Sequence, residues 1–440
     1  MSSSIPMSLE PRRARADRSA DRWVTVVAIA VAVAYLAAGL LATFLPADVR
    51  GGTWLPLHLA LAGASLTAIG GVMPFFTAAL AAATPAPRWL RVAVVALLAC
   101  GIGLAAGGRT AGVAVLAVAG GVLVVVGLVG LLAAAFLPLR GSLATRRPGI
   151  WAAYAIAIVE VAIGVTLAVA DLEGDPAIAA AWPLLKPAHA WLNLFGFVSL
   201  VIATTLVHFL PTIAGTRIVR RPALDVALLT LGAGPILAAL GFVTVAPLLV
   251  GGGALLEVVG AIALVVGVAG IVRDRGRWTT DLGWHRFTLG SLIAGVAWFC
   301  AGTAAAAWPA VENGASADAW DVRLVLAPLV IGWTAQAIVG SAAHLLPSIG
   351  PGGREAHAAV RRSLGRFWLS RIAAFNGGIV LLWATTLGGP APLAPVGIVL
   401  VALSVGAAVG LVTIGIAVGR AAPGAESASR HDDRGTSNRT

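Results

Sequence analysis

The sequence predicts an all-α, polytopic membrane protein of about twelve transmembrane helices, on three observations. The 440-residue chain is 59% apolar and only 11% charged, against about half and about a quarter in soluble domains. Its apolar residues fall in long runs, and mean hydropathy is +0.93. Glycine is abundant, at 53 residues, as close helix contacts in lipid require. The shortage of charge excludes an ordinary soluble enzyme. The formal charge of +11 does not mark a nucleic-acid reader, because its placement follows the membrane topology. Cys100 and Cys300 lie inside apolar runs and form no CxxC metal site.

Crossing about 30 Å of hydrocarbon takes roughly 20 residues, and twelve runs meet that need. The first, 23–46, follows a basic tail, 1–22, and is too long for a signal-peptide core. The second, 54–83, opens on Trp54 and Pro56 and is closed off by Pro85 and Pro87. Runs 89–107 and 111–137 follow. The fifth, 150–170, starts after Pro148-Gly149 and carries Glu160; the sixth, 184–211, carries His189 and His208. The seventh is 223–242. The eighth, 247–271, contains Gly251-Gly252-Gly253 and Glu257. The ninth is 286–308. The tenth, 322–347, carries His344 and precedes Pro351-Gly352-Gly353. The last two are 367–387 and 393–418. The transmembrane domain is thus 23–420, and the polar, low-complexity segment 421–440 reads as a disordered cytoplasmic tail.

Orientation follows from basic residues in the loops. Arg50, Arg109, Lys186 and Arg323 fall on one side, and the other 26 of the 30 fall on the opposite side. Both termini are therefore expected in the cytoplasm of a multi-pass protein of the cell inner (plasma) membrane. The sparse side is acidic, with Asp171, Glu173 and Asp175 in one loop and Glu312, Asp318 and Asp321 in another.

Spans 2, 6 and 10 look alike. Each follows or begins at a tryptophan (Trp54, Trp182, Trp320), has an early proline (Pro56, Pro187, Pro328) and closes on a second (Pro74, Pro211, Pro347). The early prolines are 131 and 141 residues apart, close to a third of the chain. The expectation is three pseudo-repeated units of four helices.

Those spans also carry four of the seven histidines. His58 and His189 share a Pro-x-His pattern at the outer ends, and His208 and His344 share a His-x-x-Pro pattern at the inner ends. His189 and His208, on one helix, are about 28 Å apart at 1.5 Å per residue. They cannot serve one site. His58 with His189, and His208 with His344, are instead the candidate cofactor-binding pairs, the latter a metal pair. Haem iron or copper takes neutral imidazoles from facing helices. A plainer reading is that each imidazole bonds a neighbouring carbonyl or hydroxyl. His285, His357 and His431 fall among cytoplasmic segments and read as solvated.

Glu160 and Glu257 sit mid-span with no basic residue of their own span beside them. A buried carboxylate without a partner takes up a proton. Both are candidates for a proton relay, or for neutral acids bonded across a helix contact. Asn193, Gln336 and Asn376 read as interhelical hydrogen-bonding amides.

The segments HLALAGASLTAIG, HAWLNLFGFVSLVIATTLVHFLPTIAGTRI and AQAIVGSAAHLLPSIGPGGREAHAAVRR resemble the membrane region of actinobacterial copper-oxidase, nitrite-reductase-like proteins. Twelve helices in three units, with histidines on spans 2, 6 and 10, also resemble the NnrS family and subunit I of haem–copper oxidases. That resemblance implies haem–copper-oxidase-like architecture, with His58 matching an axial haem ligand and His189 nearest to a copper ligand. The oxidase pattern has two adjacent histidines on span 7 and a His-x-His on span 10. Here span 7 has none and span 10 has His344 alone, so a dioxygen-reducing binuclear centre is not implied.

The expected function is a haem- or copper-binding membrane protein in electron transfer or in nitric oxide or copper handling, with haem b or copper as the group bound. Its partners would be the lipid bilayer and a cupredoxin-type copper enzyme or electron-transfer protein, with no nucleic acid. The alternatives are a cofactor-free proton-coupled transporter using Glu160 and Glu257, and an accessory or assembly partner of a separate copper enzyme.

Overall fold

The computed structural model describes residues 10–142, 148–349 and 354–421, and among these the chain is helical with no strand. The expected tail from 422 on, with His431, lies outside the described residues. So do Arg146, Arg147 and Pro351-Gly352-Gly353. Among the described residues, eleven helices are long and apolar enough to cross a membrane. A twelfth span is gained if a pair of helices bent by 53° counts as one. The protein is a multi-pass helical membrane protein. Large apolar side chains such as Val129, Leu229, Val266 and Leu403 point outward and are exposed, as a lipid-facing surface requires.

The helices are α1 (Glu10–Ala42), α2 (Trp54–Leu80), α3 (Arg88–Thr110), α4 (Ala114–Phe136), α5 (Pro148–Leu172), α6 (Pro176–Ala214) and α7 (Pro222–Val243). Then come α8 (Pro247–Arg275) and α9 (Gly283–Asn313), followed by Val322–Val325, Leu326–Ala335 and Gln336–Ile349, which run on as α10. The chain ends with α11 (Arg354–Leu364), α12 (Trp368–Thr386) and α13 (Leu393–Ala421). Several begin on proline, which lacks only an N–H that a first turn leaves unbonded. The α5–α6 turn shows the local logic. Gly174 takes φ +78°, a conformation a Cβ would resist. The Asp175 carboxylate then accepts from the Ala177 and Ile178 N–H groups, and Pro176 opens the helix.

Two differences from the sequence expectation stand out. Helix α1 begins at Glu10 rather than 23 and so continues through basic sequence. A further helix, α11, precedes the expected eleventh span. It buries Ala356, Ala359, Val360, Ser363 and Leu364, residues three or four apart that share one face. Phe367, at φ +54°, makes the bend into α12.

The chain forms two compact units, Met1–Val201 with Pro235–Ala246 and Ile202–Gly234 with Pro247–Thr440. In the first, α3 and α4 cross where Gly101 meets Gly120. A Cβ on Gly101 would lie 2.7 Å from the Gly120 carbonyl oxygen. In the second, the α7–α8 crossing sets Gly234 2.9 Å, measured likewise, from the Gly253 oxygen, and the α12–α13 crossing sets Gly378 2.7 Å from the Gly397 oxygen.

Among the described residues three helices carry π-helical turns, at Leu59–Leu66 in α2, Trp191–Ser199 in α6 and Leu326–Ala335 in α10. A glycine in each receives a large side chain from the preceding span. Gly63 packs on Tyr35, Gly196 on Glu160 and Gly332 on Trp298.

Candidate functional site

His58 and His189 come together in the first unit. Their ring centres are 6.2 Å apart and their planes 20° from parallel. Both rings are partly buried. The Trp54 ring stacks on His58 at 4.4 Å, and Trp182 flanks His189 at 6.1 Å. The Arg109 guanidinium lies 4.6 Å over Trp54 and 3.7 Å from the Asp171 carboxylate. The order is thus cation, indole, imidazole, imidazole, indole. The guanidinium–indole contact is a cation–π interaction.

Each imidazole is oriented by one nitrogen. Nδ1 of His58 is 2.7 Å from the Trp54 carbonyl oxygen, one helical turn back. Nδ1 of His189 is 2.8 Å from the Gly164 carbonyl oxygen on α5. A carbonyl can only accept, so Nδ1 donates wherever it bonds one; the Nδ1 of His189 also has the Asn193 amide nitrogen at 3.1 Å. In the neutral rings Nε2 is then left with its lone pair. Asn193, one turn beyond His189, donates to the His189 carbonyl at 2.6 Å. Its bond is within α6, not between helices as the sequence suggested. Gly164 leaves room for it, since a Cβ there would fall 2.5 Å from Asn193 Nδ2.

Glu160 lies one turn before Gly164 on α5. It is 0% exposed, and neither carboxyl oxygen has a hydrogen-bond partner among the described residues. It faces Gly196 on the π-helical turn of α6. The same α5–α6 seam therefore holds His189, Asn193 and Glu160. Glu257, also 0% exposed, packs against Gly234.

His208 and His344 lie in the second unit. His208 is partly buried on α6. His344 is held between Phe209, edge-on at 5.7 Å, and Trp284 at 5.6 Å. His285, read from sequence as solvated, instead bonds the Asp281 carboxylate at 2.7 Å and the Ile213 carbonyl at 2.6 Å. Asn376 accepts from Trp298 Nε1 at 2.6 Å, the interhelical bond expected of it. Among the described residues no group of three or more His, Cys, Asp or Glu is placed to hold a metal ion.

No protein-family model matches the chain, and no curated protein matches it.

The sequence pattern singled out His58 and His189 through their repeated Pro-x-His. It did not single out Arg109, Asp171, Gly164 or Trp182 as their surroundings. Arg109 and Asp171 had a weak signal, as opposite charges at span ends on the same side. Gly164 had none, because its role is a backbone oxygen.

Proposed function

We propose that the chain is an integral membrane haem- or copper-binding protein, acting in electron transfer or in nitric oxide or copper handling, with His58 and His189 as its ligand pair. The observation that carries this is the fixing of both Nδ1 atoms on backbone carbonyls. Carbonyl bonding of one ring nitrogen is the usual support of a metal-ligating histidine, because it sets ring orientation and tautomer. His58 and His189 would be the residues that hold haem b or copper. The bound group would supply the redox change; the chain holds the imidazoles and places Trp54 and Trp182 beside them.

Haem–copper-oxidase-like architecture in three units belongs to the same proposal. Its support is the threefold recurrence of the π-helical turn and of the glycine crossing. The basic-residue bias supports cytoplasmic termini in the cell membrane, with the His58 end outward. A cupredoxin-type enzyme or electron-transfer protein would be the partner.

A visible spectrum and metal analysis of the purified chain test the ligand pair. A Soret band or stoichiometric copper is expected, lost alike in His58→Ala and His189→Ala and kept in His208→Ala. Well-folded protein free of both would overturn it. The second reading, a proton-coupled transporter, would then stand on buried Glu160.

A further inference from the structure

In the second unit, a cleft of about 570 Å³ opens between the start of α7 and the last turns of α8. One wall is the segment 219–223, which leads into α7, and the other is the stretch of α8 from Val266 to Arg273. Three arginines line it: Arg220, Arg221 and Arg273. The space exists because α8 presents Gly267, Ala269 and Gly270 to it. A Cβ on Gly267 would fall 2.2 Å from Leu224 Cδ2, and one on Gly270 would fall 2.9 Å from Arg221 Nη1. Larger side chains there would close the cleft or push its walls apart.

Two acids meet the three cations. Arg221 pairs with Asp274 on α8, and Arg220 donates from Nε to Asp225 at 2.7 Å. These pairs fix the two arginines in the wall. Arg273 is exposed and has no side-chain hydrogen bond or ion pair among the described residues, so the cleft keeps a positive charge. Arg273 also ends a face of α8. Val266, Gly270 and Arg273 are four and three positions apart and lie on one side of the helix. Val266 is 57% exposed, on the lipid-facing surface. An aliphatic wall, a gap and a cation therefore follow one another over about 10 Å, at 1.5 Å per residue. A phospholipid has its acyl chain, glycerol and phosphate in that same order. A free anion would use the cationic end alone.

We infer that the α7–α8 cleft seats an anionic phospholipid, with its phosphate at Arg273 and Arg220 and its acyl chain against Val266. Basic pockets between transmembrane helices hold such headgroups. Arginine N–H edges match phosphate oxygens in pairs.

The test uses the full chain in neutral detergent, with phosphatidylglycerol and phosphatidylcholine of the same acyl chains. Binding is read by native mass spectrometry and by thermal shift. Phosphatidylglycerol is expected to bind and phosphatidylcholine not, and inorganic phosphate should not displace the bound lipid. Arg273→Gln should weaken binding about fivefold, as loss of one arginine at a lipid surface does. Ala269→Leu, which fills the cleft and leaves every charge in place, should weaken it as well, and it covers the case where Arg273→Gln fails to fold. Arg277→Gln removes a cation of the same loop that does not line the cleft, and it should leave binding unchanged. Equal binding of the two lipids, or wild-type affinity in the folded cleft variants, would overturn the inference. So would displacement by inorganic phosphate, which would assign the arginines to the free anion. An equal loss in Arg277→Gln would overturn it too, by reducing the effect to the general charge of the surface.

Discussion

At the scale of single residues, the contact between Glu160 and Gly196 is the tightest link between chemistry and packing. A Cβ on Gly196 would fall 2.5 Å from Glu160 Oε2, so the carboxyl fills the space a side chain would occupy. Gly196→Val should therefore destabilise the protein by about 1–3 kcal/mol, the usual cost of overpacking, measured as a lowered melting temperature in detergent. Adding Glu160→Ala should recover part of that loss, since neighbouring substitutions are not additive. An unrecovered double variant would mean that the carboxyl does more than fill the gap. Glu160→Gln keeps size and should fold normally. If Glu160 relays protons, turnover that needs a proton should still stop. The mid-span position of Glu160 was legible in the sequence; its glycine partner was not, because Gly196 lies 36 positions away on another helix.

At the scale of helices, the three glycine crossings share one spacing. Gly101 with Gly120, Gly234 with Gly253 and Gly378 with Gly397 are each 19 positions apart. The backbone cannot yield as a flexible side chain can. A Cβ on Gly120 would lie 2.3 Å from Ala105 N, so Gly120→Ala should cost on the order of 1–3 kcal/mol. Gly107→Ala, with nothing within 4 Å, should be neutral or stabilising, since glycine inside a helix costs up to about 1 kcal/mol relative to alanine. Thermal melting of the two variants side by side checks the contrast. Spans of about 20 apolar residues were readable, and most boundaries fall within a few positions of those expected. The π-helical turns were not readable, because an i→i+5 ladder leaves no compositional mark. Helix α11 had a mark, apolar residues at Ala356, Ala359 and Val360, hidden among arginines that resembled a loop.

At the scale of the whole molecule, the distribution of basic residues predicts orientation. A phosphatase reporter active only outside the cytoplasm should work when fused after Glu173 and fail when fused after Arg220. The reverse result would invert the topology. Helix number and polarity are legible from composition because lipid imposes them on each span separately. The pairing of His58 with His189, 131 positions apart, was legible in their shared Pro-x-His pattern; the carbonyls and aromatic rings around them needed the fold. The α3–α4 crossing has a consequence for the order of assembly. Its two helices are joined through Ala111, Gly112 and Val113 alone, and the Gly101–Gly120 contact between them involves no later part of the chain. Contacts this local form early. The pair can close as soon as Phe136 has entered the bilayer, while most of the chain is still to be made, and offers the helices that follow a finished surface to dock on.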